Sequence, residues 1–326
     1  MPLAPLRFKP VLRRYLWGGR RLGTMLGKPI GPESDYAESW EVVDHGADQS
    51  VVAGGPLDGT RLCDLVAEAN RELFGQHAPQ AKFPLLLKFL DAQQKLSLQV
   101  HPDDTRARRL TPPDLGKTEA WVVLSAEPAS FLYAGLKRGF DRAALQREVA
   151  RGTSHLCVAE IKPHAGDCYF IPAGVVHGLG PGLMIAEIQQ SSDTTYRLYD
   201  WNRVGVDGQP RTLHIEQALD AIDYTYGPVA AQTPRPTDRA NVERLVECEQ
   251  FVLDRWRLDA PDQLGGDDRF HIVAVLAGSL QVSQYPTGQP LKLGEVMLVP
   301  AAIGAVDLLP QPGTVILDIY LPATRS

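Results

Sequence analysis

Short apolar runs, rich in β-branched and aromatic residues, recur along this chain between glycines, prolines and polar residues. Runs of this length with turn residues between them are typical of a β-sandwich or β-barrel. A first group consists of ESWEVVDH, FPLLLKFLDA, LSLQVHP, EAWVVLSA, SFLYAGL, CYFIPA and LMIAEIQQ. A second group consists of FVLDRWRLDA, FHIVAVLAGSLQVS, EVMLVPA and TVILDIYLPA. The pattern predicts a mainly β protein.

Helical periodicity is confined to a few segments. Between Thr60 and Gly75 the apolar residues recur with a period of about 3.6. This spacing predicts a helix with Thr60 as its N-cap and Gly75 just after its end. Asp141 and Thr212 are predicted to cap two further helices. The helices are therefore expected to be additions to a β framework.

The stretch GPVAAQTPRPT, residues 227–237, separates the two groups of strands. Its prolines and low apolar content are typical of a connecting loop. We therefore predict a first domain over residues 1–225, which carries the helices as insertions. A linker over residues 226–240 and a smaller β domain over residues 241–326 are predicted to follow.

One turn motif occurs twice. Gly166–His177 reads GDCYFIPAGVVH, and residues 294–305 read GEVMLVPAAIGA with the same spacing from glycine to proline. Each copy predicts a strand, a tight turn and a second strand. His177 begins the second strand of the first copy, and Ala305 takes its place in the other. The repeat predicts a duplicated barrel whose second copy has lost a ligand residue.

Charge and cysteine content exclude several classes of protein. The chain has 326 residues and a net charge of −6, which argues against a nucleic acid partner. Its 4 cysteines form no C-x-x-C pair, and their sparse spacing favours a reducing compartment. No apolar run is long enough for a signal peptide or a membrane span. We expect a cytoplasmic protein without a membrane or nucleic acid partner.

Four side chains are candidates for one metal site. Gln99 and His101 are two residues apart, so on a strand they share a face. Glu119 enters the apolar run AWVVL, where a carboxylate is costly unless it is paired or bound to a metal. With His177 these residues offer an amide oxygen, a carboxylate and two imidazoles. This donor set suits zinc with an open coordination position, although His177 could also be a packed core histidine.

The motif G-x5-P-x-G-x2-H within Gly166–His177 resembles the second motif of the cupin barrels. Further motifs follow one another in order: YLWGG, ESWEV, LSLQVHPDD, GKTEAW, GDCYFIPAGVVHGL and QQSSDTTYRLYDWNR. Together they resemble the type I mannose-6-phosphate isomerase family over roughly the first 220 residues. The tail resembles that family's C-terminal cupin. The resemblance implies two jelly-roll barrels and a zinc-dependent aldose–ketose isomerase that interconverts mannose 6-phosphate and fructose 6-phosphate.

The resemblance also implies roles for individual residues. The family's zinc ligands fall on Gln99, His101, Glu119 and His177, with a single zinc ion per chain. Arg197 matches a catalytic arginine, although from the sequence alone it could be a surface ion-pair partner.

The acting base stays open between Lys117 and Asp193. Asp193 matches an active-site acid of the family, and the pKa of a lysine can fall near a metal. The reaction expected is proton transfer between C1 and C2 of the open-chain sugar through a cis-enediol.

Three residues are candidates for binding a hexose 6-phosphate: Ser97, Lys88 and Arg203. Lys88 is a lone charge in an apolar strand, and the family carries a lysine at this position. Alternatively, Lys88 could belong to an edge strand and extend its amine to water without a role in binding. Leu179 stands where some relatives have a tyrosine, so any contact from that hydroxyl must be absent or come from elsewhere.

Two other functions compete with the isomerase. One is a different metal-dependent cupin enzyme, such as a dioxygenase. Iron enzymes of that kind commonly use a cluster of histidines with one carboxylate, whereas Gln99 replaces the first histidine here, and Lys88, Lys117 and Arg197 suit a phosphorylated substrate better than a neutral aromatic one. The other is a non-catalytic, sugar-binding pair of cupin domains.

Overall fold

The computed structural model describes residues 3–204 and 208–323. The first strands are β1 (Phe8–Lys9), β2 (Val11–Gly19), β3 (Tyr36–Val42), β4 (Asp44–His45), β5 (Asp48–Gln49), β6 (Val51–Val52), β7 (Leu85–Ala92), β8 (Leu98–Val100), β9 (Glu119–Ala126), β10 (Leu132–Leu136), β11 (Val158–Ile161), β12 (Cys168–Ile171), β13 (His177–Leu179), β14 (Leu183–Gln190) and β15 (Tyr196–Tyr199). The later strands are β16 (Arg235–Pro236), β17 (Val242–Glu247), β18 (Val252–Leu258), β19 (Asp262–Gly265), β20 (His271–Ala277), β21 (Ser279–Val282), β22 (Leu291–Lys292), β23 (Val296–Val299), β24 (Ala305–Pro310) and β25 (Thr314–Tyr320). The helices are α1 (Arg21–Thr24), α2 (Leu62–Glu68), α3 (Asn70–Phe74), α4 (Asp104–Ala107), α5 (Arg142–Ala150) and α6 (Ile215–Ala221).

The larger sheets form two pairs. In the first pair a six-stranded sheet, ordered β12-β9-β14-β7-β3-β2, faces a five-stranded sheet, ordered β11-β10-β13-β8-β15. In the second pair the orders are β16-β17-β18-β25-β20-β23 and β19-β24-β21-β22. The prediction of a mainly β fold is confirmed. The exact domain boundaries stay a prediction, and β16 shows that part of the predicted linker pairs with the second set of strands.

Apolar side chains on both faces bury the central strands of the first six-stranded sheet. On β7, Leu87 and Phe89 pack in a core that also contains Leu253 and Ile272 of the second pair of sheets. Leu90, one position along the strand, packs in the interior of the first barrel. Because side chains alternate across a strand, β7 has apolar neighbours on both sides and reads as an almost continuous apolar run.

The repeated turn motif has the same backbone arrangement in both copies. Gly166 and Gly294 both have a positive φ, which L side chains rarely adopt. The Gly166 N–H donates to Val123 O and the Gly294 N–H donates to Val275 O, each at 2.8 Å. A short strand follows each glycine, β12 in one copy and β23 in the other. The spacing in the sequence thus corresponds to a structural repeat.

The helix predictions are confirmed only in part. Asp141 caps α5, since its side chain accepts a hydrogen bond from Ala144 N. The predicted helix from Thr60 to Gly75 is divided at Ala69 into α2 and α3, and its N-cap is Arg61. The cap of α6 is His214 rather than Thr212. Among the described residues no helix has the length and hydropathy needed to cross a membrane.

Candidate metal centre and substrate cavity

Three neighbouring strands of the five-stranded sheet place candidate residues in one row. His177 on β13 pairs with Gln99 on β8, and Gln99 pairs with Arg197 on β15. Paired residues of an antiparallel sheet project from the same face. His101 directly follows β8, so the predicted strand face continues just past the end of the strand.

The opposite sheet contributes the charged residues of the site. Glu187 on β14 pairs with Lys88 on β7, and Gln189 beside it pairs with Glu119 on β9. Because β7 lies between β3 and β14, the alternative that Lys88 belongs to an edge strand is wrong. Lys88, Glu119 and Glu187 are all buried.

His101, Glu119 and His177 form a compact group whose potential ligand atoms lie within 4.8 Å of one another. Glu119 Oε1 is 3.4 Å from His177 Nε2, and Glu119 Oε2 is 3.5 Å from His101 Nε2. Gln99 Nε2 lies 3.3 Å from His177 Nε2. Turning this amide about its last bond would bring the amide oxygen to the same point. Three of the four predicted ligands therefore form one group, and Gln99 adjoins it at His177.

Hydrogen bonds at the far side of each imidazole orient both rings. His101 Nδ1 donates to Thr194 O at 2.9 Å, and His177 Nδ1 donates to Val175 O at 2.8 Å. With the proton on Nδ1, each Nε2 presents a lone pair toward Glu119. Metal-binding histidines are commonly oriented in the same way, by a hydrogen bond from the ring nitrogen that does not bind the metal. Burial, reinforced by the Lys117 ammonium, lowers the pKa of His101 to about 3, and burial also lowers the pKa of His177.

One carboxylate oxygen of Glu119 is left without a partner in this group. Its Oε1 is buried without a hydrogen-bond partner among the described residues. The nearest nitrogen, His177 Nε2, carries no proton to donate in this tautomer, so two acceptors face each other. Burial disfavours the charged carboxylate, but Lys117, His177 and His101 together outweigh burial and hold the pKa of Glu119 well below its usual range. The nitrogen and oxygen donors fit a zinc ion in this position.

Lys117 lies inside the group and is almost fully buried. Its ammonium contacts Glu119 Oε2, is 3.1 Å from His101 Nε2 and is 3.4 Å from Glu187 Oε1. It therefore reaches both carboxylates of the site. Asp193, the other candidate base, is exposed at the cavity and makes no hydrogen bond or ion pair within residues 3–204 and 208–323.

Glu187 was not identified from the sequence. Its Oε1 is 3.1 Å from Lys88 Nζ, and its Oε2 accepts a hydrogen bond from Trp121 Nε1 at 3.1 Å. Burial and the neighbouring Glu119 raise the pKa of Glu187. The signal was available, because Glu187 interrupts the apolar run LMIAEIQQ as Glu119 interrupts its own.

The ammonium of Lys88 forms ion pairs with two buried carboxylates of the protein. Besides Glu187, Glu38 Oε2 lies 3.6 Å from its ammonium. Burial disfavours the charged ammonium, but Glu187 and Glu38 outweigh burial and raise the pKa of Lys88. Lys88 is thus a fixed cation at the wall of the cavity.

These groups line a cavity of about 130 Å³, which shares Tyr15, Trp17, Arg197 and Arg211 with an outer chamber of about 940 Å³. The cavity brings together Lys88, Ser97, Gln99, Lys117, His177, Glu187, Asp193 and Arg197. Arg203 lies in the outer chamber instead. Leu179 also lines the cavity. The phenol ring of Tyr15 lines it as well and stacks on Trp17, with 5.6 Å between the ring centroids.

Comparisons with known proteins agree with this arrangement. Residues 6–118 match the family model described as phosphomannose isomerase type I, catalytic domain. The chain is 34% identical over 318 residues to mannose-6-phosphate isomerase ManA of Bacillus subtilis, covering 94% of this chain and 96% of that protein. It is 36% identical over 301 residues to mannose-6-phosphate isomerase of Streptococcus mutans, covering 92% and 93%.

The crystal structure of the mannose 6-phosphate isomerase from Bacillus subtilis superimposes with a TM-score of 0.89 at 29% identity, covering 98% of this chain and all of that one. The paired sheets and the buried histidine–carboxylate group define a cupin enzyme with a candidate metal centre. Given these relatives, the chain belongs to the type I mannose-6-phosphate isomerase family. Membership of this family argues against the two alternative hypotheses, a dioxygenase and a non-catalytic sugar-binding protein.

Proposed function

We propose that this enzyme interconverts mannose 6-phosphate and fructose 6-phosphate as a zinc-dependent aldose–ketose isomerase, through a cis-enediol. The observation that carries the proposal is the buried group of His101, Glu119 and His177, which presents lone pairs from three side chains to one point beside a polar cavity. Gln99 would complete the ligand set. A bound zinc ion would act as a Lewis acid toward oxygen atoms of the open-chain sugar.

The residues of the chain have separate roles in this proposal. The guanidinium of Arg197 makes no hydrogen bond or ion pair with the residues that the structure describes, and it lines the cavity. Its permanent charge is therefore available to stabilise the developing enediolate. Ser97 and the fixed cation Lys88 line the same wall and can hold substrate hydroxyl groups.

Lys117 is the better placed of the two candidate bases. It is buried within hydrogen-bond reach of Glu119 and Glu187, so its ammonium can first pass a proton to Glu187 and become a neutral amine. That amine can then take the proton from C1 or C2 and return it to the other carbon. Asp193 lies at the exposed edge of the cavity. Arg203, in the outer chamber, would add positive charge on the approach of a phosphorylated substrate.

Metal analysis of single-ligand variants tests this function. We expect His101→Ala and Glu119→Ala to lose bound zinc and to lose isomerisation of mannose 6-phosphate, measured in a coupled assay with and without chelator. His164→Ala is the matched control, because the side chain of His164 is 74% exposed and remote from the cavity. Full activity in metal-free wild-type protein would contradict the zinc mechanism, whatever the variants do.

A further inference from the structure

Arg211, which the sequence analysis did not single out, lines both the cavity and the outer chamber. Its guanidinium makes a two-point contact with one carboxylate: Nε donates to Asp200 Oδ2 at 2.7 Å and Nη2 donates to Asp200 Oδ1 at 2.6 Å. Nη1 makes no hydrogen bond within the described part of the chain. Arg211 is thus held in place with donors still available at the boundary between the two spaces.

The carboxylate that holds Arg211 is buried. Only 4% of Asp200 is exposed, and it also accepts a hydrogen bond from Arg203. Burial disfavours its charge, but the hydrogen bonds from Arg211 and Arg203 outweigh burial and lower the pKa of Asp200. Arg203 in turn donates to Lys95 O at 2.6 Å, so its own guanidinium is occupied by two protein acceptors.

Positive charge at the mouth of the cavity exceeds the negative charge that compensates it. Arg211 and, in the outer chamber, Arg203 both donate to the buried carboxylate of Asp200. The guanidinium of Arg197, beside Arg211 at the cavity, is unpaired among the described residues. Burial and the repulsion from Arg211 lower the pKa of Arg197. The donors of Arg197 and the remaining donors of Arg211 are therefore available to an anion that carries more than one negative charge.

Arg211 lies at the opposite end of the site from the histidines. His177, Gln99 and Arg197 lie in a row across three strands, which spans roughly 10 Å at the usual strand spacing. The segment that leads from Arg211 to His214 lies on the far side of Arg197, since His214 N donates to Arg197 O at 2.8 Å. Arg211 therefore belongs to the end of the site remote from the histidines.

The inner end of the site is unsuitable for a phosphate. Glu38, Glu119 and Glu187 line or approach the cavity there, and Lys117 is already paired with Glu119 and Glu187. Lys88 is already paired with two of these carboxylates. The carbonyl end of an open-chain sugar is neutral and fits this inner end, which leaves the phosphate to the outer one.

We propose that Arg211, held by Asp200, binds the phosphate group of the substrate and so directs the C1–C2 end toward the candidate metal centre. The proposal rests on the proposed function and extends it by assigning the orientation of the substrate. Arg203 then acts as a positioning residue, which contacts Asp200 rather than the phosphate.

Arg211→Gln tests the assignment by separating KM from kcat. We expect the KM for mannose 6-phosphate to rise roughly ten- to hundred-fold, as for loss of hydrogen bonds to a charged group, while kcat stays within about tenfold. Inhibition by inorganic phosphate should weaken by the same factor. Arg211→Lys should give a smaller rise, because it keeps the charge but loses the two-point contact.

Two variants serve as comparisons. Arg61→Gln is the matched control, because Arg61 makes the same two-point contact with Asp64 on the surface, at 2.9 and 2.7 Å. It should leave KM and phosphate inhibition unchanged. Arg203→Gln should raise KM less than Arg211→Gln does. An equal or larger rise for Arg203→Gln, or an unchanged KM for Arg211→Gln, overturns the proposal.

Direct binding of inorganic phosphate separates this proposal from the proposed function. In a phosphorus NMR titration, phosphate should bind the wild-type protein more tightly than Arg211→Gln. If the wild-type protein binds phosphate in this way but does not isomerise mannose 6-phosphate, the function fails and the anion site stands. If the enzyme isomerises mannose 6-phosphate and both proteins bind phosphate equally, only the role of Arg211 fails. Should Arg211→Gln not fold, the comparison between wild type and Arg211→Lys decides in the same way.

Discussion

Lys117 and Asp193 illustrate how differently two titratable residues of one cavity can be placed. Lys117 lies among acceptors of Glu119, Glu187 and His101, whereas Asp193 is exposed. A general base must reach the substrate proton and must be held there, because proton transfer depends on distance and alignment. At the scale of single residues the structure therefore favours Lys117.

Two substitutions test this preference. We expect Lys117→Met to lower kcat by about 100- to 10,000-fold, the usual contribution of general acid–base catalysis, and Asp193→Asn to lower it by less than about tenfold. Single-turnover kinetics with deuterium at C2 of mannose 6-phosphate would show whether proton abstraction is the affected step. The assignment is wrong if Asp193→Asn is the more damaging of the two variants.

At the scale of elements, the short strands β8 and β13 determine whether the ligands meet. Gly178 follows His177 on β13, and a Cβ built on it would lie 2.8 Å from the backbone oxygen of Ser97. The backbone oxygen of Ser97 cannot move away without shifting β8, and Gln99 with it. The close approach of these strands therefore depends on the missing side chain at residue 178.

Gly178→Val should separate the two strands. We expect it to lower the free energy of unfolding by about 1–3 kcal/mol through overpacking, and to weaken zinc binding, because Gln99 and His177 move apart. Chemical denaturation and a competitive chelator titration measure the two effects. Gly227→Ala is the control, since a Cβ there meets no atom within 4 Å. Unchanged zinc affinity in Gly178→Val would show that the row of ligands tolerates the shift.

At the scale of the whole molecule, the register of the two barrels shows which residues of the second one occupy the positions of Glu119 and Glu187. Glu119 pairs with Ile171 on β12, and His271 pairs with Val299 at the same place in the repeated motif. Glu187 pairs with Trp121, and Asp318 pairs likewise with Val273. The second barrel therefore carries polar residues, His271 and Asp318, at the positions that Glu119 and Glu187 occupy in the first.

His271 is bonded on both sides in the second barrel. Its Nδ1 is 2.8 Å from Asp318 Oδ1 and its Nε2 is 3.1 Å from Asp267 Oδ1. Burial disfavours the imidazolium, but Asp318 and Asp267 outweigh burial and raise the pKa of His271 to about 9. A charged histidine between two carboxylates thus crosslinks the barrel where the first barrel has its candidate metal centre.

This pKa predicts a pH dependence of stability. The folded-state value of about 9 exceeds the ordinary 6.5, so the protonated histidine stabilises the fold fully below pH 6.5, and that stabilisation is lost as the pH rises toward 9. In chelator-treated protein we expect the free energy of unfolding to fall by on the order of 2 kcal/mol across this window. His271→Gln should remove this dependence, while His164→Gln, at an exposed position, should keep it. A slope that persists in His271→Gln would assign the dependence to another group.

Much of the site was predictable because metal chemistry restricts residue type and spacing. His177 could be identified from the turn motif, and Glu119 from the cost of a carboxylate in an apolar run. The same reasoning applied to LMIAEIQQ would have found Glu187. Arg211 carries no such signal, because an arginine in a polar loop is ordinary and only its contact with Asp200 distinguishes it.

The sequence by itself determined the mainly β fold, the repeated turn and the candidate ligands, because each depends on local spacing and residue type. Only the tertiary structure decided which residues face one another across sheets. It placed Lys88 in a central strand between two carboxylates, set Lys117 apart from Asp193, and put Arg211 rather than Arg203 at the mouth of the cavity. These outcomes depend on strand pairing between residues far apart in the chain, and local patterns do not encode such pairing.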